Sequence, residues 1–167
     1  MKRAALALVC LLATRAEAEP QLQLDLGVGL IGLGVELPIC DCFSVQVEAT
    51  GLSTFYLPLI GGGITTYAFG GGTRATWFPG RDPAGLYVAA AMRVERAAGD
   101  TSLGERATGL LLAPALTVGQ GFRPTKKVDV RFGFGAQWIH YNLKTPSGRL
   151  KADVPFLMVE LVLGYRL

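Results

Sequence analysis

A period of two runs through this chain and limits it more than any other feature. Between 127 and 143, Val128, Val130, Phe132, Phe134, Ala136 and Trp138 share one phase, while Asp129, Arg131, Gly133 and Gly135 share the other. Successive side chains alternate faces only in a strand. The same pattern recurs in 43–49, 66–78, 85–96, 108–122 and 154–167, separated by stretches rich in turn formers such as PGRDPA and RPTK. No helical period competes, and 22 glycines argue against long helices. The fold class is all-β, built from consecutive antiparallel hairpins.

Alternation does not say which solvent each face meets, and here composition matters. Half of the residues are hydrophobic and 17% are charged. No run reaches the ~20 apolar residues of a membrane-spanning helix. The apolar phase carries no charge along Phe43, Val45, Val47, Ala49 or along Leu86, Val88, Ala90, Met92, Val94. The opposite phase mixes small residues with isolated charges of both signs: Asp25, Glu36, Glu48, Glu95, Asp129 and Glu160 against Arg74, Arg93, Arg131 and Arg166. A soluble sheet would show more Lys, Glu and Thr on its polar face. Small side chains with opposed charges suit the interior of a narrow barrel whose apolar face meets lipid. These charges are expected to form a structural plug of salt bridges, with a narrow ion or proton path as the alternative.

The first eighteen residues read as a secretory signal: Lys2 and Arg3, an apolar core over 4–13, and a small-x-small site at Ala16–Ala18. The barrel is expected over 19–167. The segment 22–37 is too long for one crossing, and its apolar phase switches from even (Leu22 to Leu30) to odd (Ile31 to Leu37). Two strands around a tight glycine turn, or one strand with a bulge, both account for the switch; two strands bring the count to eight. Pro114 lies inside a strand of a sheet without edges, so a bulge is expected there.

The last strand, LMVELVLGYRL, resembles the C-terminal strand of bacterial outer-membrane β-barrel proteins. Val159, Leu161 and Leu163 match its alternation and Tyr165 its aromatic third from the end, while Leu167 stands where the family usually has Phe or Trp. The arrangement of turns and loops is similar to the small eight-stranded, OmpA/OmpX-like class. The resemblance implies an antiparallel up-and-down transmembrane barrel with outer-membrane lipid around it. It also implies that the barrel-assembly machinery recognises the C-terminal strand, Val159, Leu161, Leu163, Tyr165 and Leu167. Trp77, Phe78 and Tyr165 are then expected to form an inner aromatic girdle, and Trp138, Tyr141 and Tyr56 an outer one.

No cofactor or metal is expected, and the mild charge of +3, spread over Lys126, Lys127, Lys144 and Lys151 in turn-like segments, gives no stripe for nucleic acid. Cys40 and Cys42 flank Asp41 in a turn and are read as a local disulfide or as inert thiols. His140 is placed outward near the far rim. The outer-membrane lipid A deacylase family has a serine two places after such a histidine. This chain has Asn142 there and Ser147 only in a loop, so no catalytic residue is assigned. The role expected is structural or surface-interaction, carried by loops 52–63, 97–106 and 144–152, with a narrow transport or small-ligand barrel as the alternative.

Overall fold

The computed structural model describes residues 19–27, 29–53, 65–100 and 104–167; the signal segment and Tyr56 lie outside them. Eight strands form: β1 Gln21–Gly27, β2 Leu30–Cys40, β3 Phe43–Ser53, β4 Thr65–Trp77, β5 Leu86–Asp100, β6 Arg106–Phe122, β7 Val128–Thr145 and β8 Gly148–Arg166. Each pairs antiparallel with its sequence neighbours, and β1 pairs with β8 to close the barrel. Backbone hydrogen bonds Arg166 N–H to Lys127 O (2.9 Å) and Leu167 N–H to Pro20 O (3.1 Å) pin the last residues.

The phase switch near residue 30 is a hairpin. Leu26 pairs with Ile31 and Gly27 with Leu30, so opposed residues have opposite parity and the outward phase passes from even to odd. Gly29, at φ +76, takes the left-handed conformation that the turn needs.

Following one row of paired residues from Leu24 leads through Leu33, Ala49, Gly71, Val94, Leu112 and His140 to Asp153. Across the closing seam Leu24 pairs with Leu163, ten residues further along β8. A stagger of ten over eight strands tilts each strand by roughly 40° to the barrel axis. The interior is thus narrow and fully lined by side chains.

The wall is uneven. Strand length grows from 7 residues in β1 to 19 in β8. The seam ends at Gly27 against Glu160, so Gly148–Val159 of β8 rise past β1 with no partner on that side among the described residues. That free edge carries Arg149, Lys151, Asp153 and Pro155, charges and a proline of the kind that discourage another strand from adding.

Three expectations are corrected. Pro114 makes no bulge: Leu112 faces His140 and Ala115 faces Gln137 in one unbroken register, with ladder pairing interrupted only at Ala113 and Pro114. A proline lacks the N–H but keeps extended geometry, so one rung is lost without adding a residue. The register shift falls instead between Pro38 and Cys40, at the end of β2. Finally, 144–152 is no loop. Lys144 pairs with Arg149 and Thr145 with Gly148, leaving only Pro146 and Ser147 as the turn; Lys144 and Lys151 are strand residues. In the other two connections, 52–53 belong to β3 and 97–100 to β5, while 54–64 and 101–103 lie outside the described residues.

Candidate functional site

The barrel's interior is its distinctive chemical feature. All eight strands send a polar side chain inward, because the phase opposite the apolar rows is buried in each. Arg74, Arg93, Arg131, Asp25, Glu36, Glu48, Glu95, Asp129 and Glu160 are all at most 4% exposed. The network is layered along the axis.

At the end holding the chain termini, Asp129 accepts from Arg123 Nε (2.8 Å) and from Arg166 Nη2 (3.1 Å). One level in, Arg131 grips Glu36 with two parallel hydrogen bonds of 2.9 and 2.8 Å and stacks over Phe78 at 5.0 Å. Ser44 and Gln23 also donate to Glu36. In the next layer Glu160 is bound by both terminal nitrogens of Arg74 and accepts from Tyr87 and Thr117, each at 3.0 Å. Asp25 then bridges Arg74 (3.3 Å) and Arg93 (3.0 Å), and Arg93 Nε reaches Glu48 at 2.7 Å. Bidentate and charge-assisted bonds of this kind are what buried charges require.

Glu95 stands apart. Its carboxylate accepts one bond, from Thr50 (2.7 Å), and its other oxygen bonds to no described residue. Counting from Glu36 towards the far end, the buried core holds five carboxylates (Asp25, Glu36, Glu48, Glu95, Glu160) against three guanidinium groups (Arg74, Arg93, Arg131). Glu95→Gln keeps an acceptor for Thr50 and relieves this imbalance. We expect it to change stability by less than about 1 kcal/mol, or to stabilise, in urea unfolding of the barrel in detergent micelles. A loss above about 2 kcal/mol would show that Glu95 is paired.

Beyond Glu95 the interior turns apolar. Leu30, Leu52, Leu111, Ile139, Tyr141, Leu143 and Met158 form one buried cluster. This corrects the placement of Tyr141, which is 5% exposed and inside. Its odd phase in β7 is that of Asp129 and Arg131, so it points inward, opposite to Trp138. Phe78 is likewise no girdle residue. It is 2% exposed, one place past outward-facing Trp77 and anchored by its N–H to Cys42 O at 2.8 Å. Trp77, Trp138 and Tyr165 do face outward, at 51%, 50% and 47% exposure. The sequence carried the signal for the apolar half, since Ile139, Tyr141 and Leu143 continue the inward phase, but the phases exchange polarity there: the outward residues are now His140, Asn142 and Lys144.

Outside, His140 Nδ1 lies 3.1 Å from Asp153, which also accepts from Trp138 Nε1. Thirteen positions separate Asp153 from His140 in the chain, and only the β7–β8 register places them opposite each other. Ser147 donates to Glu105 at the turn. Val159, Leu161, Leu163, Tyr165 and Leu167 line the outward phase of β8 and the residue after it, with the Lys127 ammonium 5.7 Å from the Tyr165 ring centre. The Cys40 and Cys42 sulfurs lie 2.8 Å apart, both as free thiols, and the hydrogen bond with Cys40 raises the Cys42 thiol above its usual range. Among the described residues no three His, Cys, Asp or Glu side chains group to hold a metal. Beside the β1–β2 tip an open apolar groove of about 630 Å³ is lined by Leu30, Ile31, Leu33, Leu52, Tyr67 and Phe69.

A closed eight-stranded antiparallel barrel with charged interior and apolar exterior is the fold of the small outer-membrane barrels. The crystal structure of Neisserial surface protein A (NspA) is similar to this chain, with a TM-score of 0.60 at 14% identity, covering 89% of this chain and 95% of that one. Neither a family profile nor a curated protein matches the sequence.

Proposed function

We propose that the chain is an exported outer-membrane barrel with a plugged interior and a structural or surface-interaction role. One observation carries the reading: the protein is inside out. Three arginines and five carboxylates are buried in its centre, whereas Leu33, Val47, Met92, Leu116, Phe134 and Leu157 are among the large apolar residues exposed on its wall. Water would reverse this distribution, and lipid favours it. In β7 the uncharged outward run from Val128 to Trp138 spans about 25 Å along the axis at the strand tilt given above, the height of a lipid-facing band.

The layered ion pairs fill the termini half with buried side chains, which supports a plug over a pore. The connections at the far end would then carry contacts with partners, held on a rigid wall. The apolar groove favours a second reading, a barrel that holds a small apolar ligand at its far rim. A hydrolase is not favoured: His140 and Asp153 form a suitable pair, but Asn142 occupies the position of the missing serine.

Expression of the full chain in a Gram-negative host tests the proposal. The mature protein should pellet with outer membranes and run at different positions on gels before and after boiling. Reconstituted in planar bilayers, it should show no stable open-channel steps. A soluble periplasmic protein without a heat-dependent shift would overturn the membrane reading, and steady conductance would overturn the plug.

A further inference from the structure

The outward face of the long wall changes character abruptly at its far end. Below the His140–Asp153 row, the rows are apolar: Met92, Pro114, Trp138 and Pro155 fall in one register row, and Ala90, Leu116, Ala136 and Leu157 in the next towards the termini. Above, the same phase of β5, β7 and β8 carries Arg96, Lys144, Arg149 and Lys151, all exposed. Lys144 and Arg149 are direct partners across β7–β8, and Lys151 sits two places along, opposite Asn142.

Like charges directly opposite in a sheet are destabilising, with Cβ atoms only about 5 Å apart. Here no described residue relieves the repulsion. Among the described residues, Lys144, Arg149 and Lys151 form no ion pair. The neighbouring carboxylates have other partners: Asp153 meets His140 and Trp138, and Glu105 accepts from Ser147. Three cations share two successive rows of the β7–β8 register and pair with no carboxylate among the described residues.

The rows beneath decide what that anion is attached to. A molecule anchored between Lys144 and Arg149 passes the His140–Asp153 pair before it reaches Trp138, Pro155 and Leu157, so it is charged at one end and apolar at the other. We propose that the Lys144–Arg149–Lys151 cluster binds the phosphate of a phosphorylated lipid in the surrounding outer leaflet, with its acyl chains on the apolar rows below. The proposal rests on the outer-membrane reading. Arg96, one strand pair away across Leu110, widens the collar.

The test uses the mature barrel refolded in detergent micelles and native mass spectrometry. The probes are lipid A carrying two phosphates and the same lipid dephosphorylated. The wild type should retain the phosphorylated lipid and release the other. Lys144→Gln/Arg149→Gln/Lys151→Gln should lower retention roughly tenfold or more, each surface cation being worth about fivefold. Lys144→Arg/Lys151→Arg should retain it, as should Lys126→Gln/Lys127→Gln at the opposite end. If the triple variant fails the heat-shift test of folding, the single Lys144→Gln should still show a loss of about fivefold. Unchanged retention by the Gln variants would overturn the site. So would equal retention of the dephosphorylated lipid, or inorganic phosphate alone raising the denaturation temperature as much as the lipid does. A protein that fractionates with outer membranes yet retains no phosphorylated lipid refutes the site and leaves the membrane reading standing.

Discussion

Replacing Arg74 with methionine is expected to cost about 3–5 kcal/mol of barrel stability, the typical result of removing one partner of a buried ion pair. Arg74 is 2% exposed and holds two carboxylates at once, Glu160 and Asp25. Its loss leaves both buried as diagonal neighbours on the paired strands β1 and β8, Glu160 without a cation and Asp25 with Arg93 alone. Methionine fills most of the volume, so the effect isolates charge from packing. The contacts tie β4 to β8 and β1, so the damage reaches the closing seam rather than one hairpin. With a denaturant slope of about 2 kcal/mol per molar, the urea midpoint in detergent micelles should fall by roughly 2 M. Adding Glu160→Gln to the variant should recover at least about 1 kcal/mol, the coupling that a double-mutant cycle reads for side chains in contact. A midpoint within about 0.3 M of wild type would mean that Arg74 is not paired in the lumen.

Gly119→Val should be nearly as damaging, at about 3 kcal/mol. A Cβ at this position would lie 2.6 Å from the Tyr87 ring and hydroxyl and would also strike the Phe132 carbonyl. Tyr87 cannot yield, being fully buried with its hydroxyl on Glu160. Overpacking costs about 1–3 kcal/mol, and loss of a hydrogen bond to a charged acceptor adds about 1.5–3. Gly80→Ala is the control, since nothing lies within 4 Å of a Cβ there; its midpoint should not move. A Gly119→Val barrel unfolding at the wild-type midpoint would show that Tyr87 has room to move and does not fix the spacing of β5, β6 and β7.

These two sites differ in how far the chain announced them. Arg74 and Glu160 were legible as inward residues, because each interrupts an apolar alternation at the polar phase. Gly119 looked like one small interior residue among several. Its role depends on Tyr87, 32 positions earlier, whose aromatic ring uses the space. Tyr141 is hard to place from the sequence for a related reason: its neighbours Trp138 and His140 face outward, and only its opposite parity marks it as inward. The hairpin at 144–152 was hidden by composition. Pro146, Ser147, Gly148 and three cations look like a solvated loop, although the strand continues under all but two of these residues.

By itself the sequence determined the class of fold and the identity of its two faces. Both follow from local physics: a strand alternates its side chains, an uncharged apolar phase seeks lipid or core, and a glycine turn permits the reversal at Gly29. What only the tertiary structure decided is who meets whom. The salt-bridge partners Glu36 and Arg131 are 95 positions apart, and Arg74 and Glu160 are 86. Their meeting depends on strand stagger and barrel closure, quantities set by all eight strands together. The same stagger carries Lys144 and Arg149 above the apolar rows and turns scattered loop-like charges into a single cationic face.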